Sequence, residues 1–222
     1  MSIANNLLSI KSTLPEHLTL VAVSKTKPVA DLMEAYDAGQ RIFGENKIQE
    51  MVDKWEQMPK DIQWHMIGHV QSNKVKFMAQ FVSLIHGVDS LKLLQEINKQ
   101  AQKNNRIIDC LLQIHIAEEE TKFGLDEKEL TALLSSTEFQ KMKNIRIVGL
   151  MGMATFTDDS HQIRKEFSHL KSIFDELCKE VSLKEALQDF SIVSMGMSGD
   201  YQLAIECGST MVRIGSSIFG GR

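Results

Sequence analysis

Several features are scarce in this chain. Its 222 residues include only three cysteines, Cys110, Cys178 and Cys207, with no Cys-x-x-C pair. Each falls in an apolar pattern, so buried reduced thiols are expected rather than disulfides or metal ligands. No apolar run approaches the length of a membrane span. The amino terminus, Met1-Ser2-Ile3-Ala4-Asn5-Asn6, lacks a basic start and a long apolar core, so no signal peptide is expected. Neither sign of charge dominates: 25 Lys and Arg face 29 Asp and Glu, a net charge of -4. That argues against a general electrostatic grip on nucleic acid or acidic membranes. No Pro-, Gly- or Ser-rich linker divides the chain, and no repeat or low-complexity tract is found. The expectation is a single cytoplasmic domain over 1–222.

What is present is alternation. Ile3, Leu7, Ile10 and Leu14 predict an amphipathic opening helix. Strands are then expected at about 18–25, 42–45, 62–68, 82–88, 109–116, 145–153, 190–197 and 211–215, with a helical pattern between successive strands. Ser72, Asp89 or Ser90, and Ser198 are read as helix caps. The longest stripe runs through Ile163, Phe167, Leu170, Phe174, Leu177 and Val181. About eight β–α units imply a parallel sheet with right-handed crossovers, and at this length a (β/α)₈ TIM-type barrel with an extra N-terminal helix. A doubly wound open sheet is the alternative, but the first βα turn lacks G-x-G-x-x-G.

Barrel enzymes carry their sites at the carboxyl ends of the strands. Lys25 ends the apolar run Leu20-Val21-Ala22-Val23, and Pro28 opens the following helix. Glu45-Asn46 stands at the second strand end. Ser198, Gly215 and Ser216 fall in the loops after strands seven and eight, where such barrels commonly hold a phosphate. Strand alternation places Met211, Arg213 and Gly215 on one face, so Arg213 needs a partner or a ligand; Glu206 is the structural alternative. A strand-end lysine, a phosphate cradle and a central arginine together suggest pyridoxal 5′-phosphate, whose aldehyde needs an amine. His65, His69, His86 and His115 raise a competing account, a metal-dependent barrel hydrolase, but no His-x-His pair or partnered Asp has ligand spacing.

The residues Ala22-Val23-Ser24-Lys25-Thr26-Lys27-Pro28, Phe43-Gly44-Glu45-Asn46, Trp64-His65-Met66-Ile67-Gly68, Ser194-Met195-Gly196-Met197-Ser198 and Arg213-Ile214-Gly215 together resemble the pyridoxal phosphate homeostasis protein family. The resemblance extends over nearly the whole chain. It implies a barrel like the amino-terminal domain of alanine racemase, and the cofactor held as a Schiff base on Lys25. It also implies a role in cofactor homeostasis and carriage without an established catalytic reaction. Ser198, Gly215 and Ser216 match the family's phosphate positions, Arg213 its residue near the pyridine nitrogen, and Lys122 a loop lysine. Many relatives have tyrosine where this chain has Lys47.

The expected protein is therefore a non-catalytic, monomeric carrier whose partners are the cofactor itself and apo enzymes that use it. A cofactor-dependent racemase or decarboxylase is the alternative. Against it, Tyr36 lies on a helix stripe, Tyr201 in a short helix, and the chain ends just after strand eight, so no second domain is expected to bring an opposite base.

Overall fold

The computed structural model describes residues 2–119, 121–180, 183, 187 and 189–221. Helix α1 (Ile3–Thr13) precedes β1 (Thr19–Val23), and the chain then alternates through α2 (Val29–Asp37), β2 (Ile42–Glu45), α3 (Ile48–Gln57), β3 (Gln63–Met66), α4 (Val75–Met78), β4 (Leu84–Val88) and α5 (Leu91–Lys103). It continues through β5 (Ile108–Gln113), α6 (Glu127–Ser135), α7 (Thr137–Gln140), β6 (Ile145–Met151), α8 (Ser160–Lys179), β7 (Ile192–Ser194), α9 (Tyr201–Glu206), β8 (Met211–Ile214) and α10 (Ser216–Phe219). All eight strands pair in parallel, in sequence order, and the barrel closes where β1 meets β8, with Val21 beside Arg213 and Ala22 beside Ile214. The TIM-type barrel with an N-terminal helix is what the alternation predicts.

Strand alternation divides the apolar residues into two cores. Val21, Leu84, Leu111, Val148, Met151 and Met211 fill the lumen. Leu20, Ala22, Phe43, Trp64, Ile85, Val212 and Ile214 point outward into a much larger core shared with the helices. Strands hidden on both faces read as unbroken apolar runs, which is why they were legible. Helix spacing works the same way: Ile163, Phe167, Leu170 and Phe174 are the buried face of α8. Val181, the last residue of that stripe, and Glu120 in the loop after β5 lie outside the described residues.

Several boundaries differ from expectation. β1 ends at Val23, because a turn begins at Ser24. β5 ends at Gln113, where Gly124 brings the chain back so that Leu125 pairs with Ile114. A Cβ on Gly124 would lie 2.4 Å from the His115 nitrogen, so only glycine fits that return. Ser90 caps α5 through the Leu93 N–H, and Asp126 caps α6 in a reciprocal box with Glu129. Ser72 does not cap: it is the first residue of a short 3₁₀ turn. All three cysteines are free, but only Cys110 is buried; Cys178 sits one residue beyond Leu177 on α8 and is exposed. Among the described residues no helix is long and apolar enough to cross a membrane.

Candidate functional site

Lys25 sits in a four-residue turn closed by the Lys27 N–H donating to the Ser24 carbonyl at 3.1 Å. By the alternation of β1, Val21 and Val23 share the lumen side, while Ser24 points outward to Glu45. Lys25 is half-buried. The next residue, Thr26, has φ 63. Left-handed backbone is unusual for a β-branched residue and costs about 1–3 kcal/mol, so the surroundings must impose it.

They do so through one buried ion cluster. Lys54 of α3 falls at the inner position after Ile48 and Met51, where helical spacing calls for an apolar residue, and it is 5% exposed. Its ammonium donates to the Ser24 carbonyl (2.7 Å), Glu45 Oε1 (2.8 Å) and Glu50 Oε1 (2.7 Å). Glu45 Oε1 also accepts from the Ser24 hydroxyl (2.6 Å), and Glu50 Oε1 from the Thr26 N–H (2.5 Å). Burial raises the Glu45 carboxyl above its usual range, against the pull of Lys54.

On the other side of the turn, Arg213 crosses the lumen and is 4% exposed. Nη1 donates to Ser194 Oγ at 2.6 Å and Nη2 to the Gly152 carbonyl at 3.1 Å, leaving three of its five N–H groups uncommitted. The expected alternative partner is elsewhere: Glu206 pairs with Arg164 on the surface at 2.5 Å. Among the described residues Arg213 has no ion-pair partner; only Asp200 acts on it at a distance, and burial lowers its pKa to about 10, so it stays charged at neutral pH. His86 Nδ1 stands 3.0 Å from the same Ser194 hydroxyl, and His86 Nε2 is 3.1 Å from His65 Nδ1. Because Arg213 can only donate, the arrangement that wastes no proton runs one way, from Arg213 through Ser194 and His86 to His65. Burial holds His65 neutral, at about 3, and keeps His86 well below its ordinary value with the help of His65 and Arg213.

The loops after β7 and β8 meet beside β1. Ser198 does not cap a helix: α9 begins at Tyr201, and Asp200 Oδ1 takes the Met197 N–H at 2.6 Å. The Ser198 hydroxyl instead accepts the Gly215 N–H at 3.2 Å, tying the two loops together and leaving its own proton to donate. A Cβ on Gly215 would come within 3.0 Å of the Val23 carbonyl, so glycine lets this loop lie against the end of β1. Gly196 has φ 96 and its added Cβ would lie 2.6 Å from Ala204 Cβ; it too must be glycine. Ser216 opens α10 directly after Gly215, whose loop lies against the end of β1.

Other predicted residues follow β2, which lies directly beside β1, and the strands further round the barrel. Asn46 is half-buried after β2, and Gly68 packs against its backbone so closely that a Cβ would lie 2.4 Å from its carbonyl oxygen. Lys122 donates to the Ala154 carbonyl (2.5 Å) and pairs with Glu119 (3.1 Å). His69 pairs with Asp89 at 3.3 Å and stacks on Phe123. The described residues contain no cluster of three His, Cys, Asp or Glu able to hold a metal. Sequence reading missed Lys54, Glu50, Ser194 and the joined histidines; a lysine on an apolar helix stripe was the one available signal.

Comparison with known proteins adds the following. The family model of the alanine racemase N-terminal domain matches residues 1–222. A pyridoxal phosphate homeostasis protein of Pasteurella multocida is 38% identical, covering 100% of this chain and 98% of that one. The one from Homo sapiens is 42% identical over 91% of this chain and 76% of its own. Among solved structures, PipY of Synechococcus elongatus with PLP bound superposes with a TM-score of 0.87 at 34% identity, covering 99% and 100% of the two chains. Alanine racemase from E. faecalis shares the fold at a TM-score of 0.74 and 16% identity, and this chain covers 58% of it.

Proposed function

This chain belongs to the pyridoxal phosphate homeostasis protein family, on the alanine racemase N-terminal domain, and from that premise we propose that it binds pyridoxal 5′-phosphate at the β1–β8 seam as an intracellular carrier. The observation that carries this reading is Arg213, buried without an ion pair among the described residues, on the strand that pairs with the one ending just before Lys25. When bound, the cofactor supplies an aldehyde, which condenses with a primary amine with loss of one water. Lys25 is the amine. Ser198 and Ser216 hold the phosphate by their hydroxyls and by backbone N–H groups, and Gly215 makes room for it. Arg213 would meet the ring nitrogen with its uncommitted N–H groups, and Asn46 would line the site from the end of β2, beside β1.

The same geometry disfavours turnover of amino acids. With Arg213 at the ring nitrogen, that nitrogen would stay unprotonated and the electron sink would be weakened. The Tyr36 hydroxyl is held on the exterior by Asp61 at 2.8 Å, and Tyr201 starts α9 packed against the outer core. Neither offers a base to the open face of the site. The protein acts in this reading as a cytoplasmic monomer that yields its cofactor to apo enzymes. Reduction with borohydride followed by peptide mass spectrometry tests it: the pyridoxyl group is expected on Lys25, and labelling confined to Lys27, Lys74 or Lys122 refutes the assignment.

A further inference from the structure

We propose that Lys54, with Glu45 and Glu50, is a positioning hub for Lys25, an inference that rests on the cofactor reading above. One buried ammonium grips the residue before the reactive lysine, through the Ser24 carbonyl at 2.7 Å. It grips the residue after it through Glu50, which accepts the Thr26 N–H. Glu45 closes the ring by holding both Lys54 and the Ser24 hydroxyl. Both neighbours of Lys25 are clamped from outside the barrel, and the side chain between them is left to project inward.

Three features set this apart from an ordinary ion pair between a helix and a strand. First, lysine is almost never fully buried, and here it replaces an apolar residue on the inner stripe of α3. Second, the two acids accept from the backbone and hydroxyl of the turn itself rather than only from Lys54. Third, Thr26 is held at φ 63, a conformation that would relax once the Glu50 contact is lost. A relaxed turn would redirect Lys25, so only a fraction of molecules would present the amine, and apparent affinity falls by that fraction. The hub touches neither the phosphate loops nor Arg213. It therefore acts on covalent capture and leaves non-covalent recognition alone.

The test compares two ligands. Pyridoxal 5′-phosphate needs the amine; pyridoxamine 5′-phosphate has the same ring and phosphate but no aldehyde. Lys54→Met is expected to weaken apparent affinity for pyridoxal 5′-phosphate about tenfold, with correspondingly less pyridoxyl-Lys25 after borohydride. Affinity for pyridoxamine 5′-phosphate is expected to hold within about twofold. Adding Thr26→Gly, which adopts positive φ freely, should restore capture in the double variant. Where Lys54→Met does not fold, Glu50→Gln, at the edge of the cluster, is put through the same comparison and decides. Equal loss for both ligands, unchanged capture, or failure of Thr26→Gly to rescue overturns the hub. Wild-type protein in which Lys25 stays unlabelled overturns the cofactor reading itself, whereas labelled wild type with undiminished capture in the variant overturns the hub alone.

Discussion

Two buried polar clusters flank the Lys25 turn, one outside the barrel wall and one in the lumen. Outside, Lys54 meets two carboxylates and a carbonyl, and its charge is answered on the spot. In the lumen, Arg213 meets a hydroxyl and a carbonyl, its neighbours His86 and His65 are neutral, and among the described residues no carboxylate pairs with it. Burying a cation without an anion is costly. A cluster that answers its own cation is a support; one that leaves a buried cation without an ion pair, with N–H donors unused, is open to a guest that accepts hydrogen bonds. The contrast separates what holds the site from what the site holds.

The sharpest way to break this contrast is to make the same substitution in both clusters. Lys54→Met strands two carboxylates, and loss of one partner from a buried pair costs about 3–5 kcal/mol. Arg213→Met removes a cation that no acid among the described residues pairs with, so ligand-free stability is expected to change by no more than about 1 kcal/mol, or to rise. Affinity for pyridoxal 5′-phosphate should fall in the Arg213 variant all the same. Urea unfolding of the two variants without cofactor reads the difference. An equally large loss in both would mean that Arg213 is structural.

Protons distinguish the clusters next. In the lumen, burial depresses His65 to about 3 from an ordinary 6.5, and His86 well below it. The unfolded chain takes up those protons as pH falls through about 6.5, and the folded chain does not. Each ring therefore contributes stability that is present above that pH and lost below it, by up to about 1.4 kcal/mol per pH unit, with the share of His65 ending near 3. Glu45 has the opposite sign. Its folded pKa lies above the ordinary 4.5, so the folded protein takes the proton first, and that gain is present at low pH and lost as pH rises from 4.5 through the elevated value. His65→Gln should flatten the acid limb of the stability curve by one proton. Lys54→Met, which frees Glu45 from its cation, should be less damaging at pH 5 than at pH 7. A Lys54→Met penalty that does not depend on pH would place the Glu45 charge elsewhere.

How far these clusters could be foreseen depends on which rule governs each residue. Period-two alternation is local, so it placed Arg213 in the lumen with Met211, and Val212 and Ile214 outside, from five residues of sequence. It cannot say which lumen residues meet across the barrel, because that depends on strand tilt and stagger; the joining of His65, His86 and Ser194 was therefore invisible. Lys54 was hidden for another reason. Helical periodicity puts position 54 on the inner stripe, but residue type assigns a lysine to solvent, and only the arrival of the Ser24 carbonyl and two acids makes its burial tolerable. Serine before a helical pattern is usually a cap, but at Ser198 Asp200 intervenes two residues later and takes the Met197 N–H. The Glu206 alternative for Arg213 failed because alternation points Arg213 inward while Glu206, the last residue of α9, lies on the surface with Arg164.

The smallest expected effect belongs to Ser198, and it tests whether the phosphate cradle belongs with the guest or with the frame. Its hydroxyl accepts the Gly215 N–H at 3.2 Å and can donate its own proton at the same time. If the frame were its main concern, Ser198→Ala would cost stability, because a neutral hydrogen bond contributes about 0.5–1.5 kcal/mol. The Gly215 N–H is only partly buried, however, and Gly215 is already fixed by its approach to Val23 and by its carbonyl, which accepts the Ile218 and Phe219 N–H groups at 2.9 Å. Loss of the hydroxyl is thus expected to lower stability by less than about 0.5 kcal/mol while removing one donor from the phosphate. A hydrogen bond to a charged group is the stronger kind, about 1.5–3 kcal/mol, so affinity for pyridoxal 5′-phosphate should fall about tenfold or more. Affinity for pyridoxal, which has no phosphate, should be unchanged. Titrating wild type and Ser198→Ala with both ligands separates the cases. Equal losses for the two would move Ser198 from the cradle to the frame.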